Sequence, residues 1–229
     1  MIKLLIFLGL LSIITDAKSQ QEFSINNGSE NYYSKITVEK CEDGTCSGKG
    51  TISIFVKSTK SLFQILSSDD LYFSLDVSNS PSVNVVELYG EQSPLIFDDF
   101  NFDGTEDLAI RNGNNSGYSG PSYDVYVYNA NKKQFVFSSE LTKLVTDNLG
   151  MFLVDHTNKR ITTFSKSGCC WHLTTQYVVV PKKGLVKVYE LIEDATNSNG
   201  KTVLVTTSSL INGKWIKSSK KFKMKEYYK

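Results

Sequence analysis

Apolar and polar positions alternate along most of the chain in short runs separated by turn residues. The stretches SKITVEK, GTISIFVK, LYFSLDV, SVNVVELYG, SYDVYVYN, QFVFS, RITTFSK, TTQYVVV, LVKVYEL and KTVLVTT each predict a strand. Side chains two positions apart share one face of a pleated ribbon, so such alternation gives a strand one buried side. The 12 tyrosines and 13 phenylalanines, with many Val, Ile and Thr, suit half-buried sheet surfaces. Turn residues recur about every ten positions, the spacing of antiparallel sheets in a sandwich, barrel or propeller-like array. One segment departs from this period. In SSELTKLVTDN, residues 138–148, Ser138 or Ser139 can cap a helix, Glu140 favours its first turn, and Leu141, Leu144 and Val145 form one apolar face. The final KKFKMKEYYK alternates lysine with apolar residues and predicts a charged edge strand. With no strong repeat and no long linker, residues 20–229 read as a single all-β domain with one short helix.

The N-terminus adds an export signal. One positive charge, an apolar run from Leu4 to Ile14 and a small-x-small site at Ala17-Lys18-Ser19 predict a signal peptide over residues 1–19. The run is shorter than the roughly 20 residues of a membrane span, so no integral membrane segment is expected after cleavage. The exported chain, periplasmic or secreted, would start near Gln20. Losing Lys3, Lys18 and Asp16 takes the 25 basic and 24 acidic residues to parity. A neutral chain argues against nucleic acid as a general partner, because phosphate binding draws on accumulated positive charge.

Export changes how the four cysteines are read, since an oxidising compartment favours disulfides. Cys41 and Cys46 flank EDGT, where Asp43-Gly44 is a hairpin-turn signal, and a bridge across that hairpin is geometrically reasonable. Cys169 and Cys170 are neighbours, and a bridge between them strains the intervening peptide. Three pairings are open to four cysteines, and Cys41–Cys46 is the expected one. A zinc site needs better-spaced ligands than His172 beside a Cys-Cys pair.

The candidate chemistry is concentrated in LIFDDFNFDGTEDLAI, residues 95–110. Two glycosidase carboxylates need a fixed separation, whereas carboxylates crowded on one tight loop repel unless a cation neutralises them. An EF-hand needs a bidentate glutamate at loop position twelve and flanking helices. Here that position is Ile110, and the flanks LIF and LAI read as strands. The remaining reading is a calcium loop between two strands. Asp99, Asn101 and Asp103 supply oxygens, Gly104 permits the turn, the Thr105 carbonyl adds an oxygen and Asp107 closes the shell. A plain acidic turn is the alternative.

Next comes NGNNSGYSGPS, residues 112–122, too small and polar to pack a core and therefore an exposed connection. Tyr118 is its one large side chain; it serves either as a contact residue or as a flap folded back on the sheet.

The succession D-x-N-x-D-G-x-x-D-L, a Gly/Ser/Tyr-rich loop, Y-D-V-Y-x-Y and F-x-x-S-x-E-L-x-x-L resembles calcium-binding periplasmic proteins related to lysozyme inhibitors. That family includes immunity proteins against lysozyme-like effectors delivered by a type IV secretion system. The resemblance runs from about Leu95 to Leu144 and more loosely towards Val188; the acidic motif alone also occurs in FG-GAP propeller repeats. The resemblance implies an all-β, propeller-like or sandwich fold, bound calcium, and inhibition by a loop inserted into a lysozyme cleft. Ser119-Gly120-Pro121-Ser122-Tyr123 matches the S-G-x-x-Y spacing of such loops, which makes Tyr118, Ser119, Gly120 and Tyr123 the candidate contact residues and a lysozyme-like hydrolase the candidate partner. A serine hydroxyl or tyrosine phenol can hydrogen-bond the acid pair of a lysozyme cleft. An extracytoplasmic glycan- or protein-binding module with a structural calcium is the second reading; Tyr118, Tyr123, Tyr126 and Trp171 could serve a sugar.

An enzyme is not expected. His156 and His172 are the only histidines, and the chain has no G-x-S-x-G, H-E-x-x-H, P-loop or Rossmann signature.

Overall fold

Three antiparallel meanders follow one another along the chain in the computed structural model, which describes residues 20–197 and 200–228. The expected signal peptide lies outside the described residues. The first sheet contains β1 (Gln21–Ile25), β2 (Tyr32–Glu42), β3 (Thr45–Val56) and β4 (Leu62–Ser74), in chain order. The second contains β5 (Leu95–Asp98), β6 (Asp107–Arg111), β7 (Tyr123–Asn129) and β8 (Gln134–Phe137). The helix α1 (Ser139–Thr146) leads to the third, formed by β9 (Leu153–Asp155), β10 (Arg160–Ser167), β11 (Trp171–Val180), β12 (Gly184–Asp194), β13 (Thr202–Ile211) and β14 (Lys214–Lys223). A last turn of helix, α2 (Met224–Tyr227), follows β14.

The second sheet is the middle layer. On one side, Leu95, Phe97, Leu108, Ile110 and Phe135 pack against Ile36, Ile52, Ile54 and Leu71 of the first sheet. Ile96, Ala109 and Val125, on the opposite side, pack with Leu141, Leu144 and Val145 of α1 and with Ile161 of the third sheet. All five residues of β6 are buried. A strand covered on both faces cannot alternate, which is why DLAIR reads as an apolar run and not as an amphipathic one.

Local chemistry sets the connections. Asp43 and Gly44 both have positive φ, 48° and 74°, the type I′ geometry that continues the right-handed twist of its strands. This turn places Cys41 opposite Cys46, and the two are disulfide-bonded. The Ser138 side chain accepts from Leu141 N and caps α1, whose three apolar residues are all buried as the sequence predicts.

Several elements differ from expectation. Residues 82–90 hold no strand; Asn84 and Tyr89 sit at φ 60° and 64°, which breaks the extended run, and only isolated bridges such as Val86–Gln92 survive. The charged edge strand exists as β14 but starts earlier, at Lys214, and Met224–Tyr227 coils into a helical turn. The pairing of Cys169 and Cys170 is open in the sequence; the two are bonded to each other in the β10–β11 turn.

Candidate functional site

The acidic loop joins β5 to β6 and is closed by its own backbone. Asp99 accepts from the amides of Asp103 (3.0 Å) and Gly104 (2.8 Å), and Asn101 Oδ1 accepts from Asp103 N at 2.9 Å. Asp103 Oδ1 accepts from the amide and the hydroxyl of Thr105. Gly104 at φ 88° and Phe102 at φ 61° provide the reversal that turns these side chains inward. These hydrogen bonds hold Asp99, Asn101, Asp103 and Thr105 together within the loop.

Asp107 sits differently. It is fully buried; one carboxylate oxygen accepts from Phe100 N (3.0 Å) and the other from Tyr128 N (2.9 Å). Burial pushes its carboxyl up to about 7, the two amide bonds oppose that rise, and the nearby charges of Asp103 and Asp99 add to it. Near neutral pH the carboxyl is therefore divided between its acid and carboxylate forms, and a positive charge beside it would favour the carboxylate.

The donor set is oxygen only, which fits a hard cation such as calcium and not a soft one. In this conformation, among the described residues, no three Asp, Glu, His or Cys side chains converge on one metal position. The fit is therefore one of chemistry and loop shape, with Asn101 and a backbone carbonyl needed to complete any shell.

Three further contacts were not readable from the sequence. Glu106 accepts from Ser29 Oγ (2.9 Å), Glu30 N (3.0 Å) and Asn31 Nδ2 (2.8 Å), fastening the loop to the first sheet. Asp98 meets His156 Nε2 at 2.7 Å, and the His156 ring packs edge-on against Phe102, fastening the loop to the β9–β10 turn of the third sheet. Asp107 joins the loop to β7 within the second sheet. The loop is thus a junction of all three layers. Its partners lie 58 and about 75 residues away in sequence, so no local pattern could reveal them.

At the other end of β6 the Gly/Ser-rich connection begins. It is ordered from within: Asn112 N donates to Ser122 O, Ser122 N to Gly113 O, and Arg111 Nε to Gly113 O. Tyr118 and Ser119 form the exposed tip, both at positive φ, 57° and 55°. Two consecutive non-glycine residues in the left-handed region carry backbone strain at the point of display. Gly120 leaves little room for a side chain inside the loop, because a Cβ there would meet Ser116 Oγ at 2.9 Å and Gly117 O at 3.1 Å.

Tyr118 is both exposed and anchored. Its ring is 61% exposed, yet the hydroxyl accepts from Gly168 N and Lys166 Nζ stands 4.6 Å from the ring centre. The same Nζ lies 4.7 Å from the ring of Tyr89, which is also exposed. Beside them is a cavity of about 300 Å³ lined by Tyr89, Tyr118, Gln92, Pro121, Leu149 and Lys166. Tyr123, expected at the contact surface, is instead buried at the start of β7, and its hydroxyl donates to Ser93 O at 2.7 Å. Alternation explains the difference: Tyr123 and Val125 face the helix side of the second sheet together.

Fold and site define a three-layer antiparallel β-protein with an acidic junction loop at one end of its central strand and a displayed tyrosine at the other. No family model matches the chain, and no curated protein matches it. Among solved structures, it is similar to a Xanthomonas Type IV Secretion System related protein, with 22% identity over 87% of this chain and 93% of that one and a TM-score of 0.66. At that identity the likeness establishes the shared fold.

Proposed function

We propose that the protein is an exported, non-catalytic inhibitor that blocks a lysozyme-like peptidoglycan hydrolase with the tip of the 112–123 loop, and that calcium stiffens this loop. The observation that carries the reading is the placement of the two loops at opposite ends of β6. Asp107 opens that five-residue strand and Arg111 closes it, so the acidic junction and the displayed Tyr118 share one buried rod. Rigidity at one end reduces the ordering cost of binding at the other. Asp99, Asn101, Asp103, the Thr105 carbonyl and Asp107 would hold the ion, whose charge would compensate the crowded carboxylates. The two disulfides suit an oxidising, extracytoplasmic compartment. The Xanthomonas structure's description as secretion-system related accords with the immunity role that the sequence resemblance implies.

Tyr118 and Ser119 are the contact residues in this reading; Tyr123 supports them from the core. The test is cell-wall lysis by a panel of lysozymes and secreted lysozyme-like hydrolases, with and without the protein, in calcium and in chelator. Slowed lysis that is lost in Tyr118→Ala, with an unchanged melting temperature, supports the reading. No slowing of any hydrolase by micromolar protein ends it. Retention on peptidoglycan without any effect on lysis would instead identify a glycan-binding module.

A further inference from the structure

We infer that the β13–β14 hairpin is a membrane-docking element, whose tip enters the interface of an anionic lipid bilayer. β12 accompanies β13 only as far as the Tyr189–Ser209 pair, and beyond it Leu210, Ile211, Lys214 and Trp215 pair only within the hairpin. Asn212-Gly213, at φ 49° and 75°, makes the tight reversal. Paired residues share a face, so Ile211 and Ile216 lie on one side of this projecting ribbon and Trp215 on the other. All three are exposed, at 53%, 55% and 44%. A ribbon apolar on both faces is poorly served by a single flat protein surface, which would cover one face and leave the other wet. A bilayer interface surrounds both.

Charge selects the kind of bilayer. Lys214 stands at the turn beside Ile211, and behind Trp215 and Ile216 come Lys217, Lys220, Lys221, Lys223 and Lys225, with Glu226 as the one acidic residue from Lys214 onwards. Both faces receive lysines: Lys214 shares the side of Ile216, and Lys217 that of Trp215. Tryptophan favours the headgroup level, lysine stems can lie along apolar surface with the ammonium in water, and anionic headgroups attract the row. The same lysines oppose edge-to-edge pairing of β14 with a second copy, since like charges would align.

The test uses protein beginning at Gln20 and vesicles of phosphatidylcholine alone or mixed equally with phosphatidylglycerol. In a Trp171→Phe background Trp215 is the sole tryptophan. Co-sedimentation with the anionic vesicles and a blue shift of Trp215 emission are expected. Trp215→Ala with Ile216→Ala should weaken binding about tenfold or more, and each of Lys217→Glu and Lys221→Glu about fivefold or more. The exposed positions leave the melting temperature unchanged, which separates lost docking from lost folding. Failure to bind anionic vesicles overturns the inference. So does equal binding to soluble polyglutamate that ignores Trp215→Ala, the behaviour of a face for an acidic protein.

Discussion

Replacing Asp107 tests the junction at its centre. Its two oxygens serve two separate backbone amides, Phe100 N in the loop and Tyr128 N in β7, both in buried surroundings. In Asp107→Ala both donors lose their partner, and each orphaned amide costs about 1–3 kcal/mol. A loss of about 2–6 kcal/mol follows, which in a chain of this size lowers the melting temperature by roughly 4–24 °C. Asp107→Asn keeps one acceptor but turns an NH2 towards an amide, so it should fall between Ala and the parent. Thermal unfolding followed by circular dichroism, in excess calcium and in chelator, reads both parts of the argument. The parent should melt higher in calcium, as any ligand of the native state alone requires. The Asp107 variants should lose the bulk of that difference as well as their baseline stability. If Asp107→Ala melts within about 2 °C of the parent in chelator, the junction account is wrong. If the parent shows no calcium response and contains no calcium, the ion is wrong and the junction stands on its hydrogen bonds alone.

The same carboxyl predicts a pH signature in chelator. Burial raises its folded pKa to about 7, so the folded state holds its proton more tightly than the unfolded chain does. Stability is then greatest below about pH 4 for this group, falls as pH rises towards 7 and levels off above, at about 1.4 kcal/mol per unit of pKa difference; a stability that rose across that window would contradict it, once compared with Asp107→Asn as control. Tyr123→Phe should cost about 1 kcal/mol by removing the bond to Ser93 O, and should leave hydrolase inhibition unchanged, as measured by denaturant unfolding and lysis together. Peptide mapping without reduction should recover Cys41 joined to Cys46, and replacing both by Ala should cost about 2 kcal/mol for so short a loop.

The legible part of this molecule was its local chemistry. Alternation located the strands from SKITVEK to KTVLVTT, the Asp-Gly pair located the cysteine hairpin, and Ser138 with Glu140 located α1. Each of these is decided by residues within a few positions of one another. Failures occurred where tertiary context outweighed that signal. SVNVVELYG has strand composition, but Asn84 turns inward to accept from Phe97 N at 2.8 Å and its backbone leaves the extended region. Tyr123 looked like part of a polar loop because Gly120-Pro121-Ser122 precede it, whereas its register on β7 puts it in the core. β1 went unread because only Ile25 among its five residues is buried.

The site divides along the same line. The inward-turned oxygens of Asp99, Asn101 and Asp103 follow from their own spacing, since each accepts from a residue no more than five positions away. The contacts that make the loop matter to the rest of the fold are Glu106 to Ser29–Asn31 and Asp98 to His156, and these depend on where three sheets meet. That distinction bears on how the acidic cluster should be judged. Of its carboxylates, Asp98, Glu106 and Asp107 are committed to other layers or strands, which leaves Asp99 and Asp103 as the side chains whose negative charge faces only the loop itself. A cation held there would neutralise Asp99 and Asp103, whose charges raise the Asp107 pKa, and would favour the Asp107 carboxylate that the proposal counts among its ligands. On the calcium proposal, Asp107 would couple the ion to the joining of the loop with β7 inside the second sheet. Loss of the ion should loosen first the contact of β6 with β7, the strand that follows the displayed tyrosine.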